Sequence, residues 1–547
     1  MHAVRRLLAI VLFLLACAGT LRAQEDGKTL RVFLFAGQSN MVGSDSKVAD
    51  IARFPPFAGL DKPQERVQFN YCIGREDKLQ SDGWVALAPV DGVVGPELSF
   101  ARRVGETVKA PLAILKIAAG GTSLGADWNP DAPSGFQLYP LALARVKSAL
   151  AALERRKIAY RLEGFVWHQG ENDMFDAGYE ANYGKNLARF IECWRRDLGA
   201  PDMRFFIGEL CTKTIWGMDL RPHMYSISLG QRAVTDADPR AIFVPTSHVA
   251  VEIGDGVGLH YHYGTLGQLE HGVNHAEAYL RAIGKLPDEK RALARWPYAK
   301  GATVKLFVLA GHRNMEGERA FVEQLKPKSP LRAENARIAF KYSLGGGVRL
   351  SDGWEPLAPA GCYDTFGPEL SFGAALSEKL GDAIAIAKFT HSGSQIVDWT
   401  PEGSEATGRN LYPSFLAFVR ASIRELEEHG QKVELAGICY HLGENDMSFA
   451  PFRQHSIQWL ASLVAQSRKD LGMPALTWYV SQQRPTDDPS VNGIDVTAQL
   501  VQLAAADPHL VRVECFDLPG QEQKLVLATP GIVALGERIA ASCLKRR

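Results

Sequence analysis

The sequence carries no excess of either charge: lysine and arginine total 61, and aspartate and glutamate total 61. Nothing in that balance points to nucleic acid or an anionic membrane as partner. There is no CxxC pair and no His–Glu zinc motif, and the cysteine spacings form no metal site. Neither a metal nor another cofactor is implied. After the first residues no stretch is long and apolar enough to cross a membrane, and no long apolar lid of the lipase kind is present.

The first residues are different. Arg5 and Arg6 precede an apolar run, Leu7 to Ala16, followed by small residues. This predicts a secretory signal over 1–23, cleaved after Ala23. Leu14-Leu15-Ala16-Cys17 competes as a bacterial lipoprotein box that would leave Cys17 lipid-anchored, but Leu15 fits that box poorly. A secreted or periplasmic protein is expected. Seven cysteines follow the cleavage point, an odd number. Export permits disulfides, and spacing does not pair them.

With 547 residues, 46% of them apolar and 22% charged, the chain is of globular type and too long for one core. It is an internal repeat. AGQSNMVG (36–43) returns as AGHRNMEG (310–317), SDGWVALAP (81–89) as SDGWEPLAP (351–359), and HQGENDM (168–174) as HLGENDM (441–447). GPELSF (95–100) returns intact at 367–372, and Asp127-Trp128 as Asp398-Trp399. A period this long is no solenoid, so each copy is a complete domain. The first runs over 27–284 and the second over 302–547, joined by the charged, proline-bearing linker 285–301.

Within the first copy, strands and helices alternate. Strands are predicted at Leu30–Phe35, Leu112–Ala118, Arg161–Trp167, Met203–Leu210 and Ala241–Pro245. Helices are predicted at Glu97–Lys109, Phe136–Arg155, Tyr179–Leu198, Ile227–Ala237 and Thr265–Ile283. Five strands alternating with helices give an α/β domain with a parallel sheet covered on both faces.

The chemistry-bearing positions fall after strand ends, where such sheets place their ligands. The first strand stops at Gly37, and Ser39 follows two residues later. It is either a nucleophile or a helix cap. His260, in GDGVGLHY (254–261), is the candidate base, with Asp255 to orient it and His262 as a nearby rival. AAGGTS (118–123) offers backbone N–H groups at Gly120 and Gly121, and WHQGEND (167–173) offers the side-chain amides of Gln169 and Asn172. A plainer reading makes the glycines a tight turn and Glu171, Asn172 and Asp173 a loop network.

The second copy acts as an internal control. It has Arg313 for Ser39, His312 for Gln38, His391-Ser392 for Gly120-Gly121, and Leu442 for Gln169. Aligning LHYHYGTLG (259–267) with LVLATPGIV (525–533) puts Val526 opposite His260, and Gln521 or a neighbour opposite Asp255. Residues lost together while the framework stays are one catalytic unit. Asn40 and Asp173, kept in both copies, are structural on the same logic, and Gln169 ranks above Asn172 as oxyanion donor.

At these residues the chain resembles the SGNH-type hydrolases, specifically the sialate O-acetylesterase and carbohydrate esterase family six group. GQSNM matches that group's nucleophile block, GGT followed by Trp128 its second, and WHQGEND its third. The resemblance covers nearly the whole first copy and, eroded, the second. It implies flavodoxin-like three-layer α/β/α domains and hydrolysis of O-acetyl esters on sugars. Ser39 would be the nucleophile and His260 the base. The Ser39 N–H, a glycine N–H from Gly120-Gly121, and Gln169 would hold the oxyanion. The group's acid stands three residues before the histidine, where this chain has Val257; Asp255 serves if Val257-Gly258 is a small insertion, with Glu252 as fallback. Gln38 and Trp128 are candidate substrate contacts. Trp84 and Trp128 would stack on a sugar ring or lie buried, since both recur as Trp354 and Trp399. The rival from another class is a non-catalytic sugar-binding scaffold, which is the expectation for the second copy.

Overall fold

A computed structural model describes residues 27–546, apart from 77, 213, 216–217, 250–260, 288–290, 382, 404–409, 488–492 and 521–525. The predicted signal segment 1–23, Cys17, Glu252, Asp255 and His260 lie outside the described residues. No helix among the described residues is long and apolar enough to cross a membrane.

The first copy is a sheet of six long parallel strands. They are β1 (Leu30–Gly37), β2 (Gln64–Ile73), β3 (Leu112–Ala118), β4 (Tyr160–His168), β5 (Arg204–Gly208) and β6 (Ala241–Val244). Their order is β2-β3-β1-β4-β5-β6, and two short antiparallel strands, Leu79–Gln80 and Val85–Leu87, pair with β2. The helices are α1 (Ser39–Val42), α2 (Glu97–Thr107), α3 (Leu138–Arg155), α4 (Tyr183–Asp197), α5 (Arg221–Ala237) and α6 (Gly264–Ala282). Five of the strands were expected, and β2 was not. Its sequence, QERVQFNYCI, is polar at the start because β2 lies beyond β3 and its first residues reach solvent. Without β2, the remaining order is that of flavodoxin-like sheets.

All eight residues of β1 are buried, as they must be in a parallel strand covered on both faces. Leu30, Val32 and Leu34 face one layer with Trp167, while Phe33 and Phe35 face the other. Phe33 meets Phe100 of α2 and Tyr279 of α6 edge-on, at 4.9 and 4.8 Å between ring centres. Burying each such ring contributes about 2 kcal/mol.

The second copy repeats this frame with β7 (Thr303–Gly311), α7 (Arg313–Glu316), β8 (Asn335–Leu344), α8 (Glu369–Leu380), β9 (Ala383–Thr390), α9 (Tyr412–Glu428), β10 (Lys432–Leu442), α10 (Ser456–Asp470), β11 (Trp478–Gln482), α11 (Val496–Ala506), β12 (Leu510–Val513) and α12 (Thr529–Lys545). The order β8-β9-β7-β10-β11-β12 is the same. The intact repeat GPELSF has a structural cause. Glu97 is buried at the start of α2 and takes a 2.7 Å hydrogen bond from Lys116 on β3, whose Nζ also donates to the Val42 carbonyl at 3.2 Å. Glu369, Lys388 and the Glu316 carbonyl repeat the arrangement at 2.7 and 3.0 Å. The end of the linker belongs to the second domain: Trp296 stacks on His429 at 3.7 Å, and the Tyr298 hydroxyl donates to the Ile384 carbonyl. The seven described cysteines are free thiols.

Candidate active site

The connection direction reverses at β1, which lies between β3 and β4. The carboxyl ends of these three strands therefore bring three loops together at a topological switch point. Gly37 makes this possible. Its φ is +153°, and a Cβ there would sit 2.0 Å from the His168 carbonyl oxygen. Ser39 follows as the first residue of α1, with Gln38 as the capping residue. The Ser39 hydroxyl is no helix cap: it finds no hydrogen-bond partner among the described residues and is half-buried. Its N–H belongs to the unpaired first turn of a helix.

From the β3 end, Gly120 lies against the serine: a Cβ on it would be 3.5 Å from the Ser39 Cβ. Gly121 turns away, its nearest neighbour being the Arg75 guanidinium. From the β4 end comes the loop of Gln169 and Asn172. Gln169 is fully buried, and its Nε2 faces three acceptors: Gln38 Oε1 at 3.1 Å, the Thr122 carbonyl at 3.0 Å and Asp173 Oδ2 at 2.5 Å. The expected oxyanion donor is thus spent on holding loops together. Asn172 is half-buried, and its Oδ1 accepts from Gln38 Nε2 at 3.5 Å, while its own Nδ2 has no acceptor among the described residues. Gln38 is also inward, 2% exposed, with Oε1 shared by Gln169 Nε2 and the N–H groups of Gly170 and Asn172. It is a loop tie rather than a substrate contact.

Trp128 is overturned as a substrate contact for the same reason. It is 0% exposed, donates Nε1 to Thr122 Oγ1 and packs edge-on against Trp167. Trp84 packs against the same core. Asp173 is structural in both copies: its carboxylate takes the N–H groups of Leu124 and Gly125, as Asp446 takes that of Ile396. Burial pushes the Asp173 carboxyl up to about 6.

Asn40 ties the loop before α6 to the Ser39 turn. Its Nδ2 donates to the Tyr261 carbonyl at 2.9 Å, and its Oδ1 accepts from the Tyr263 N–H at 3.2 Å. His262, between them, has Nδ1 2.6 Å from Asp45 Oδ2. Asn40 Nδ2 also donates to Glu171 at 2.7 Å. Burial raises that carboxyl to about 7. Burial holds His168, beside it, down at about 3, and so neutral. Asp45 and Arg75 have no role in the sequence reading, and Glu171 only that of a loop-network member. The one available signal was that glycines, 345–347, follow β8 where Gly74 and Arg75 follow β2.

Hydrogen bonds also correct the pairing of the copies. The N–H of Ala119 bonds Gly37 as that of His391 bonds Gly311, which sets Ser392 opposite Gly120 and Gly393 opposite Gly121. One glycine of the pair is therefore kept. Asn314 accepts from the Leu527 N–H where Asn40 accepts from Tyr263, and Thr529 bonds Phe321 where Thr265 bonds Lys47. That shifts the last segment by two residues: Lys524, outside the described residues, falls opposite His260, and Val526 opposite His262. In the second copy Arg313, 3% exposed, fills the serine's place between Glu318 Oε2 at 2.7 Å and Glu444 Oε1 at 2.8 Å. Glu444 is the counterpart of Glu171.

A flavodoxin-like sheet built twice in tandem, with a serine block at the switch point of the first copy, is the architecture of an SGNH-type hydrolase. The chain belongs more narrowly to the family described as carbohydrate esterase, sialic acid-specific acetylesterase, which it matches over residues 29–281 and again over 303–545. It is an esterase of carbohydrates on that membership. No curated protein sequence matches it. Among solved structures it is similar to a protein of Arabidopsis thaliana, with 21% identity over 46% of this chain and 98% of that one and a TM-score of 0.36. NanS is 18% identical over 47% and 99% with a TM-score of 0.35, and a carbohydrate acetylesterase from Xanthomonas citri is 18% identical over 48% and 58% with a TM-score of 0.34.

Proposed function

We propose that the first domain removes acetyl groups from a sugar by a serine acyl-enzyme mechanism, and that the second domain has no turnover. The observation that carries this reading is the contrast at one position. Ser39 is half-buried and its hydroxyl has no partner among the described residues, whereas Arg313 at the same place is sealed between two carboxylates. Ser39 Oγ attacks the acetyl carbonyl as an imidazole takes its proton. The oxyanion is held by the N–H groups of Ser39 and Gly120 and by Asn172 Nδ2, each donor worth roughly 3 kcal/mol. The imidazole returns the proton to the departing sugar oxygen. Water then attacks the acetyl-serine, giving up a proton to the imidazole, and acetate leaves with the serine restored.

The base in the sequence reading is His260, oriented by Asp255. Its neighbour Tyr261 is bonded to Asn40, the residue after Ser39. A second assignment is favoured by the His262–Asp45 contact: His262 as base and Asp45 as the group that orients it. Residues 1–23 are read as a signal for export.

The test is Ser39→Ala in the full chain, assayed for release of p-nitrophenol from its acetate ester. Complete loss with an unchanged circular dichroism spectrum is expected, since the second domain has no turnover of its own. Residual wild-type turnover would end the reading.

A further inference from the structure

The vestigial cleft of the second domain is occupied. Three of its loops, all leaving carboxyl ends of parallel strands, close on residues 247–249 of the first domain. Arg313, after β7, donates Nη1 to the Val249 carbonyl at 3.3 Å. Gly393, after β9, abuts the Ser247 carbonyl so closely that a Cβ on it would lie 1.6 Å from that oxygen. Gly345, after β8, faces the His248 ring, with a Cβ there 3.1 Å from the ring carbon Cγ. These are the second-domain counterparts of the places where the first domain keeps Ser39, its oxyanion loop and the end of β2. The first domain holds the same segment from its own side: Glu209 Oε2 accepts from the N–H groups of Thr246 and Ser247 at 3.3 and 3.2 Å.

The segment has a notable address. It leaves the carboxyl end of β6, and the residues after Val249 run directly to His260 and His262. The downstream end of that stretch is fixed by Asn40 at Tyr261 and Tyr263. Its upstream end is fixed by the second domain.

We infer that the second domain is a positioning module for the first. Its former substrate cleft serves as an internal dock for residues 247–249, and so anchors the upstream end of the segment that leads to the catalytic imidazole. Arg313 is a positioning residue. Replacing the nucleophile by arginine ends turnover in one copy and supplies a donor that holds the other copy's loop. This inference rests on the esterase reading for its effect on rate, whereas the docking itself does not depend on it.

The test uses the full chain and two unrelated lesions. Arg313→Ala removes the donor. Gly393→Ala adds the methyl that meets the Ser247 carbonyl and leaves every charge in place, so it answers should Arg313→Ala fail to fold. Amide hydrogen exchange over peptides spanning 246–263 reads docking, and hydrolysis of p-nitrophenyl acetate reads its consequence. Both variants are expected to exchange faster over 246–249 and to lose about 10- to 100-fold in kcat with KM nearly unchanged, the signature of a misaimed group. Arg313→Lys, which keeps a cationic donor, is expected to recover part of the rate. Unchanged exchange in both variants would overturn the docking whether or not the chain is an esterase. Faster exchange with wild-type kcat would overturn positioning. A wild-type chain without turnover would sink the esterase reading and with it the effect on rate, while exchange would still decide the dock.

Discussion

His262 Nδ1 lies 2.6 Å from Asp45 Oδ2, and the two come from opposite ends of the first domain, the carboxylate from the loop just after the nucleophile helix. The backbone on either side of His262 is bonded to Asn40, the residue after Ser39. Only 14% of the histidine side chain is exposed. An imidazole held at Nδ1 presents Nε2 for proton transfer. His262→Ala is therefore expected to cost about 10²- to 10⁴-fold in kcat, Asp45→Asn a smaller part of that, and His260→Ala little. Steady-state kinetics on an acetate ester read all three. The reverse pattern returns the base to His260 and leaves the Asp45 contact as an exposed ion pair of at most about 1 kcal/mol.

The two amides of the β4 loop are expected to fail in different ways. Asn172 Nδ2 has no acceptor among the described residues, so Asn172→Ala should lower kcat by about 10²- to 10³-fold and leave the melting temperature nearly unchanged. Gln169 is fully buried and ties Gln38, Thr122 and Asp173 together. Gln169→Ala should destabilise the domain by about 1–3 kcal/mol through the partners it strands. Kinetics and thermal melts measured on the same two proteins separate the roles. Equal stability loss from both would remove Asn172 from the oxyanion site.

The frame was legible because its signals are local. An unbroken apolar strand ending in glycine, a serine two residues on, and a second copy lacking that serine are all visible along the chain. The first positions of β2 were not legible, since a strand whose first residues reach solvent loses the apolar pattern. Side-chain direction was not legible either. Gln38, Gln169 and Trp128 stand at the right places in the sequence, yet each points inward, because a loop over a switch point needs its own buried ties before it can present anything to a ligand. The Asp45–His262 contact joins residues more than two hundred positions apart and has no trace in spacing. The copies diverge by a shift of one residue near 120 and of two near 260, and only hydrogen bonds fix those registers.

Glu171 gives the first domain a pH signature. Its carboxyl is raised by burial from 4.5 to about 7, so the folded state keeps a proton that the unfolded state gives up. The stabilisation is complete below about 4.5, declines as pH rises and is gone above about 7. The span corresponds to roughly 3 kcal/mol. Glu171→Gln keeps an acceptor for Asn40 and cannot ionise, and is expected to flatten the melting temperature of the domain between pH 4.5 and 7 and to raise it at pH 8. An unaltered slope in that variant would mean that Glu171 is ionised throughout the range.

Arg75 bears on which sugar is accepted. Its guanidinium adjoins Gly121, next to the oxyanion loop, and is steadied over the Phe136 ring at 5.1 Å. It is exposed and has no carboxylate partner among the described residues. The second copy, which has Arg313 where the first has Ser39, has only glycines at the corresponding turn, 345–347. A guanidinium at the lip of an ester site, with no carboxylate partner among the described residues, suits a substrate that brings its own carboxylate, and one such charge-assisted contact is worth about 1.5–3 kcal/mol. Arg75→Ala is thus expected to lower kcat/KM by about tenfold or more on O-acetylated sialic acid and to leave an acetylated neutral xylo-oligosaccharide within about twofold, each measured by acetate release. Parallel losses on both sugars would reduce Arg75 to a prop for the Gly121 turn.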